Sequence, residues 1–93
     1  MISHTSERFR KIFAELPKQI QQQAREAYKQ FAKDPFYPGL HFKQVHPTKP
    51  IYSVRINIDY RAVGIQSEDE IIWFWIGSHG EYDKLLRRIK GNR

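Results

Sequence analysis

The stretch Ile71-Ile72-Trp73-Phe74-Trp75-Ile76-Gly77-Ser78-His79-Gly80-Glu81 changes character halfway along. Its first six residues are apolar at odd and even positions alike, as in a strand covered on both faces and set inside a sheet. Ser78 then opens the S-x-x-E pattern of a capping box, and Tyr82, Leu85, Leu86 and Ile89 follow at i, i+3, i+4 and i+7. An interior strand running into a short terminal helix is predicted, with Gly91 as the stop.

Working back from that strand, residues 67–70 form a polar turn and residues 60–66 a second strand. Before it, Tyr52, Val54 and Ile56 alternate with Ser53 and Arg55 in the manner of a half-buried strand. Asn57-Ile58-Asp59 joins the two as a hairpin, because Asn and Asp tolerate turn dihedrals. Residues 40–45 have a weaker strand pattern.

The first third of the chain is helical. Phe9, Ile12, Phe13 and Leu16 line one face of a helix over residues 6–16, with Glu7 in the first turn where the dipole favours an acid. Pro17 opens a second helix, in which Ile20, Ala24, Ala27, Tyr28 and Phe31 recur at helical spacing. Asp34-Pro35 ends it, and Phe36-Tyr37-Pro38-Gly39 is a loop. The predicted class is α+β: an N-terminal helical hairpin packed on a small, mainly antiparallel β-sheet with a short C-terminal helix. The helices are expected on one sheet face, with the other face free.

At 93 residues one core is expected, so residues 1–93 are taken as a single domain. The longest apolar run, residues 71–76, is far below the roughly 20 residues of a membrane span. The N-terminus has no secretory apolar region, and a cytoplasmic protein is expected. The absence of cysteine excludes disulfides, thiolate zinc sites and thiol nucleophiles. A net charge of +6 favours polyanionic partners: nucleic acid, ribosomal RNA or an acidic protein.

With residues 57–59 as the turn, Arg55 lies opposite Arg61 on one sheet face. Two like charges so placed call for an anion between them, such as a phosphate held by two guanidinium groups. The plainer alternative is ion pairing with Asp59, Glu81 or Asp83. His79 stands at the start of the last helix, where the dipole disfavours imidazolium and the open amides favour an anion.

Cutting RNA by transesterification needs a base for the 2′-hydroxyl, an acid for the leaving 5′ oxygen and cations for the phosphorane, and it needs no metal. His79 suits base or acid, Tyr82 one turn on is an alternative proton donor or stacking ring, and Arg61 with Arg55 suits the phosphate. His41, Lys43, His46 and Lys49 form a cationic segment, and Lys84, Arg87, Arg88, Lys90 and Arg93 a cationic tail. Lys43, His46, Lys49, Arg87 and Arg88 are the candidate RNA contacts, a solvated surface being the plain alternative. None of the four histidines sits in an H-x-x-x-H pattern, so neither metal nor cofactor is expected.

Ile51-Tyr52-Ser53-Val54-Arg55, then Asp59-Tyr60-Arg61-Ala62-Val63, then Trp75-Ile76-Gly77-Ser78-His79 with Tyr82-Asp83 resembles the RelE/ParE superfamily of toxins over nearly the whole chain. The resemblance implies the toxin half of a type II toxin–antitoxin pair, a cognate antitoxin partner, and operator DNA reached only through the antitoxin complex. The RelE, HigB and YafQ branches are ribosome-dependent endoribonucleases, which implies messenger RNA and the ribosome as further partners. Arg61 matches the family's sheet arginine, Arg55 a basic residue of the preceding strand, and His79 the catalytic histidine position of YafQ-like toxins, where RelE has arginine. Leu85 falls near the late tyrosine of RelE, and Tyr82 comes a turn earlier. Only residues 1–5 are left for the strand that usually opens this fold. A second reading is a non-catalytic toxin, a ParE-like inhibitor of DNA gyrase or an antitoxin-binding module, which would not need acid/base groups on that face.

Overall fold

The computed structural model describes residues 1–91. Ser6 caps helix α1 (Glu7–Ala14) by accepting the Phe9 N–H at 3.1 Å, satisfying one of the amides that a helix start leaves open. Pro17 separates α1 from α2 (Lys18–Lys33). The Gln21 side-chain amide clamps the junction by donating to the carbonyls of Phe13 and Leu16. At the end of α2, Asp34 is extended, as a residue before proline must be, and its carboxylate accepts the Phe36 N–H.

The sheet has five strands: β1 (Ile2–Thr5), β2 (Lys43–Gln44), β3 (Ile51–Arg55), β4 (Tyr60–Ser67) and β5 (Glu70–Ser78). Their spatial order is β1-β5-β4-β3-β2, with β1 parallel to β5 and the other neighbours antiparallel. Helix α3 (His79–Gly91) follows β5 directly. The α+β class, the helical hairpin and the interior position of β5 are as expected. No helix among the described residues is long and apolar enough to cross a membrane.

The structure corrects the sequence reading at several points. The short opening segment does form a strand, Ile2–Thr5, because a parallel edge position on β5 pairs it. Residues 40–45 are not a strand throughout: a 3-10 turn spans Pro38–Leu40 and His41 is left-handed (φ 47°), so only Lys43–Gln44 pairs with β3. Phe42 turns inward, stacking on Tyr52 and meeting Phe31 edge-on. The capping box is half formed: Ser78 Oγ accepts the Glu81 N–H at 3.3 Å, while the Glu81 carboxylate sits 3.8 Å from Lys84. Gly91 lies within α3 and does not stop it.

The larger correction concerns the two sheet faces. Helices α1 and α2 cover one face, with Ala24 and Phe31 packed in a cluster with Val54, Ala62, Trp73 and Ile76. Helix α3 covers the middle of the other, where Tyr82 and Leu85 pack with Ile51, Val63 and Trp75. Ser53, expected on a free face, is therefore only 1% exposed. Strand β5 also carries a bulge. Val63 faces Trp75 and Gly64 faces Trp73, so Phe74 is the additional residue and the pleat changes parity there. This is why Trp73 and Ile76, of opposite parity, share one core while Ile72 is 44% exposed.

Candidate active site

The turn between β3 and β4 anchors the site. Asn57 Oδ1 accepts the N–H groups of Asp59 and Tyr60 at 2.7 and 2.9 Å, forming a local side-chain turn. The Asn57 amide also donates to Gln23 Oε1 at 2.6 Å, which ties the turn to α2. The Ile56 N–H donates to the Tyr60 carbonyl, and Arg55 faces Arg61 in the expected register. Pair types alternate along an antiparallel ladder, so the arginines form a non-hydrogen-bonded pair, the kind whose side chains stand closest.

Ion pairing with Asp59, Glu81 or Asp83 does not relieve this pair. Among the described residues no carboxylate lies within 4.0 Å of either guanidinium. Arg61 instead directs Nη1 at the turn, donating to the carbonyls of Asn57 at 2.6 Å and Tyr60 at 2.9 Å. The other edge of its fork has no partner among the described residues, and Arg55 is only half-buried.

His79 is fastened to the same turn, since its backbone N–H donates to the Asp59 carbonyl at 2.6 Å. Its imidazole is half exposed, and Nδ1 lies 3.3 Å from Asp83 Oδ2, one helical turn further on. In the neutral ring held this way, the Nδ1 proton faces the carboxylate and the Nε2 lone pair is left to accept. Turn, arginine and histidine are thus fixed to one short piece of backbone.

Tyr82 is placed differently from its expected role. It is 6% exposed, and its hydroxyl donates to Ser53 Oγ at 3.0 Å within the core beneath α3. Its ring stands 5.8 Å from that of His79, but its phenol is enclosed and committed, so it is neither an available proton donor nor a platform for a base.

The candidate RNA contacts fall into two groups. Lys43 and Lys49 are exposed on and after β2, and Arg87 and Arg88 are exposed on α3. His46 is half-buried and shares a cleft with Lys90. Arg93 lies outside the described residues. Asp83 is a residue that sequence reasoning missed in this role, although His79 and Asp83 stand at i and i+4 of a predicted helix, which puts them on one face.

A helical hairpin on a mixed five-stranded sheet, with the strand leading straight into a terminal helix, is the fold of the RelE toxins. The chain superposes on the archaeal RelE of a RelE–RelB complex from Pyrococcus horikoshii with a TM-score of 0.69 and 17% identity, covering 85% of this chain and 94% of that one. For the RelB–RelE antitoxin–toxin complex from Methanococcus jannaschii the values are 0.72 and 14%, with 88% and 96% covered. For the isolated E. coli RelE toxin they are 0.62 and 15%, with 95% and 97% covered. No curated protein sequence matches the chain. The sequence model of the ParE-like toxin domain matches residues 18–84, well over half the chain, and the protein belongs to this family within the RelE/ParE toxin superfamily.

Proposed function

We propose that this toxin cuts messenger RNA on the ribosome by metal-independent transesterification, and that a cognate antitoxin, as in the RelE–RelB complexes of its structural relatives, restrains it in the cytoplasm. The observation that carries the reading is the joint anchoring of His79 and Arg61 on the β3–β4 turn, with Asp83 orienting the imidazole. A module that only binds has no use for a histidine held by a carboxylate beside two unneutralised arginines.

In this mechanism Nε2 of His79 takes the proton of the 2′-hydroxyl, and the 2′ oxygen attacks the adjacent phosphorus. The free edge of Arg61 and the side chain of Arg55 meet the charge that grows on the phosphorane oxygens. The bond to the 5′ oxygen breaks, leaving a 2′,3′-cyclic phosphate, and solvent supplies the proton to the departing oxygen, since the Tyr82 hydroxyl is enclosed. Lys43, Lys49, Arg87 and Arg88 hold the RNA backbone on either side.

The test is to map messenger RNA cleavage on translating ribosomes for the wild-type protein and His79→Ala, with gyrase supercoiling assayed alongside. Loss of a positioned base is expected to slow cleavage by about 10²- to 10⁴-fold. Intact messages with wild-type protein would defeat the proposal, and blocked supercoiling in the same assay would favour a gyrase-directed toxin.

A further inference from the structure

A second cluster of donors stands at the other end of α3. There the loop after β2 and the end of the helix close on a cleft of about 320 Å³ lined by Gln44, Val45, His46, Pro47 and Lys90. Lys90 is 11 residues beyond His79, about 17 Å along the helix axis. The cleft is therefore distinct from the site on the β3–β4 turn.

The loop is built to present a donor. His46 Nδ1 accepts the N–H groups of Thr48 and Lys49 at 3.1 and 2.9 Å. A ring nitrogen accepting two N–H groups carries no proton, so the ring proton is on Nε2. The Gln44 amide donates to the Lys49 carbonyl at 2.8 Å, and Val45 N–H closes onto the Ile51 carbonyl. These bonds, with Pro47 and Pro50 fixing φ at two positions, hold the imidazole before any ligand arrives.

The surroundings are cationic by construction. Residues 35–58 hold Lys43, Lys49 and Arg55 with no Asp or Glu, and residues 84–93 hold five Lys or Arg with none. These segments carry eight of the 16 Lys and Arg, so the rest of the chain has eight against ten acidic residues and is net negative. The cleft lies where the two acid-free segments meet. Among the described residues, no carboxylate lies within 4.0 Å of Lys90.

We propose that this cleft binds a phosphate group, and that the phosphate belongs to an RNA backbone passing through it. The lining supplies an N–H donor and an ammonium, point donors that suit the oxygens of a phosphate, and no arginine fork for planar, two-bonded capture of a carboxylate. Exposed Lys43 and Lys49 on one side and Arg87 and Arg88 on the other continue the cations beyond the cleft, as a running polymer requires and a free ion does not. The proposal does not depend on cleavage at His79, because a toxin that gripped RNA without cutting it would bind here equally.

The test follows the His46 ring nitrogens of the wild-type protein by NMR during titration with a single-stranded RNA whose 2′ oxygens are methylated, with inorganic phosphate, and with polyglutamate. The RNA cannot be cut by transesterification, so binding and cleavage are read separately. The RNA is expected to move the His46 Nε2 signal, inorganic phosphate to move it the same way at higher concentration, and polyglutamate to leave it in place. Lys90→Gln should lower the slope of log K against log salt by about 0.7, the value of one phosphate contact on a single strand, while Lys29→Gln on α2 leaves it unchanged. A signal that moves with phosphate but not RNA would overturn the RNA assignment. One that moves as far with polyglutamate would assign the cleft to an acidic protein, and one that moves with none of the three would remove the site.

Discussion

Tyr82 and His79 sit one helical turn apart and are put to opposite uses. The Tyr82 hydroxyl and Ser53 Oγ satisfy one another inside a core that α3 seals. Removing one partner strands the other: Tyr82→Phe is expected to cost about 1–2 kcal/mol in urea unfolding, and Ser53→Ala a similar amount. The double variant should cost clearly less than the sum, because an apolar pair leaves nothing unsatisfied. Messenger RNA cleavage by Tyr82→Phe should match wild type at a temperature where both are folded, and a loss resembling that of His79→Ala would return the phenol to the chemistry. Asp83 makes the complementary case. Its pair with His79 is half exposed and, as an i,i+4 pair, worth only about 0.3–0.5 kcal/mol of stability. Asp83→Asn should therefore unfold like wild type yet cut RNA more slowly, by less than the full loss seen without the base. Equal cleavage rates for Asp83→Asn and wild type would show that the imidazole needs no orienting carboxylate.

Among the elements, the pairing of β4 with β5 is the least forgiving. At Gly64, beside the bulge, an added Cβ would lie 2.9 Å from the Ile72 carbonyl oxygen and 2.8 Å from the Trp73 ring. The oxygen belongs to the paired backbone and cannot step aside without opening the ladder. Gly64→Ala is expected to destabilise by about 2–3 kcal/mol, toward the upper end of overpacking, and a change below 0.5 kcal/mol in urea unfolding would mean that the strands part easily there. The same bulge explains part of what the sequence leaves illegible. Periodicity identified β5 as interior, but no sequence signal marks Phe74 as the additional residue, so apolar positions of both parities read as two covered faces. The β3–β4 register, by contrast, was legible because Asn57 and Asp59 have turn chemistry of their own. The stripe of Tyr82, Leu85, Leu86 and Ile89 shows that α3 buries one side but not which sheet face receives it, and taking Tyr82 for a functional residue set aside what its own stripe implied. Strand β1 has no pattern to detect in four residues, and its order comes from parallel pairing with residues nearly 70 positions away. His79 and the Arg55–Arg61 pair were readable from local spacing; their shared anchor on the turn depends on a hydrogen bond from His79 to Asp59 across the sheet.

At the scale of the whole molecule, the +6 charge is not spread evenly but is borne by the two acid-free segments, while the remainder is slightly negative. A polyanion drawn to such a body is oriented as well as attracted, because only one side of the potential is favourable. Counterion release then makes affinity depend on how many phosphates meet that side, with log K falling against log salt by about 0.7 per contact on a single strand. Replacing Lys49, Arg87 and Arg88 together by glutamine should lower the slope for uncut single-stranded RNA by about 2 and weaken binding at every salt concentration. Replacing Lys18, Lys29 and Lys33 on α2 removes the same net charge and should leave the slope within about 0.3 of wild type. The two triple variants have equal formal charge, so comparing them separates place from amount. If their slopes fell together, binding would follow net charge alone, and the division of the chain into a cationic side and an acidic remainder would have no part in how it holds RNA.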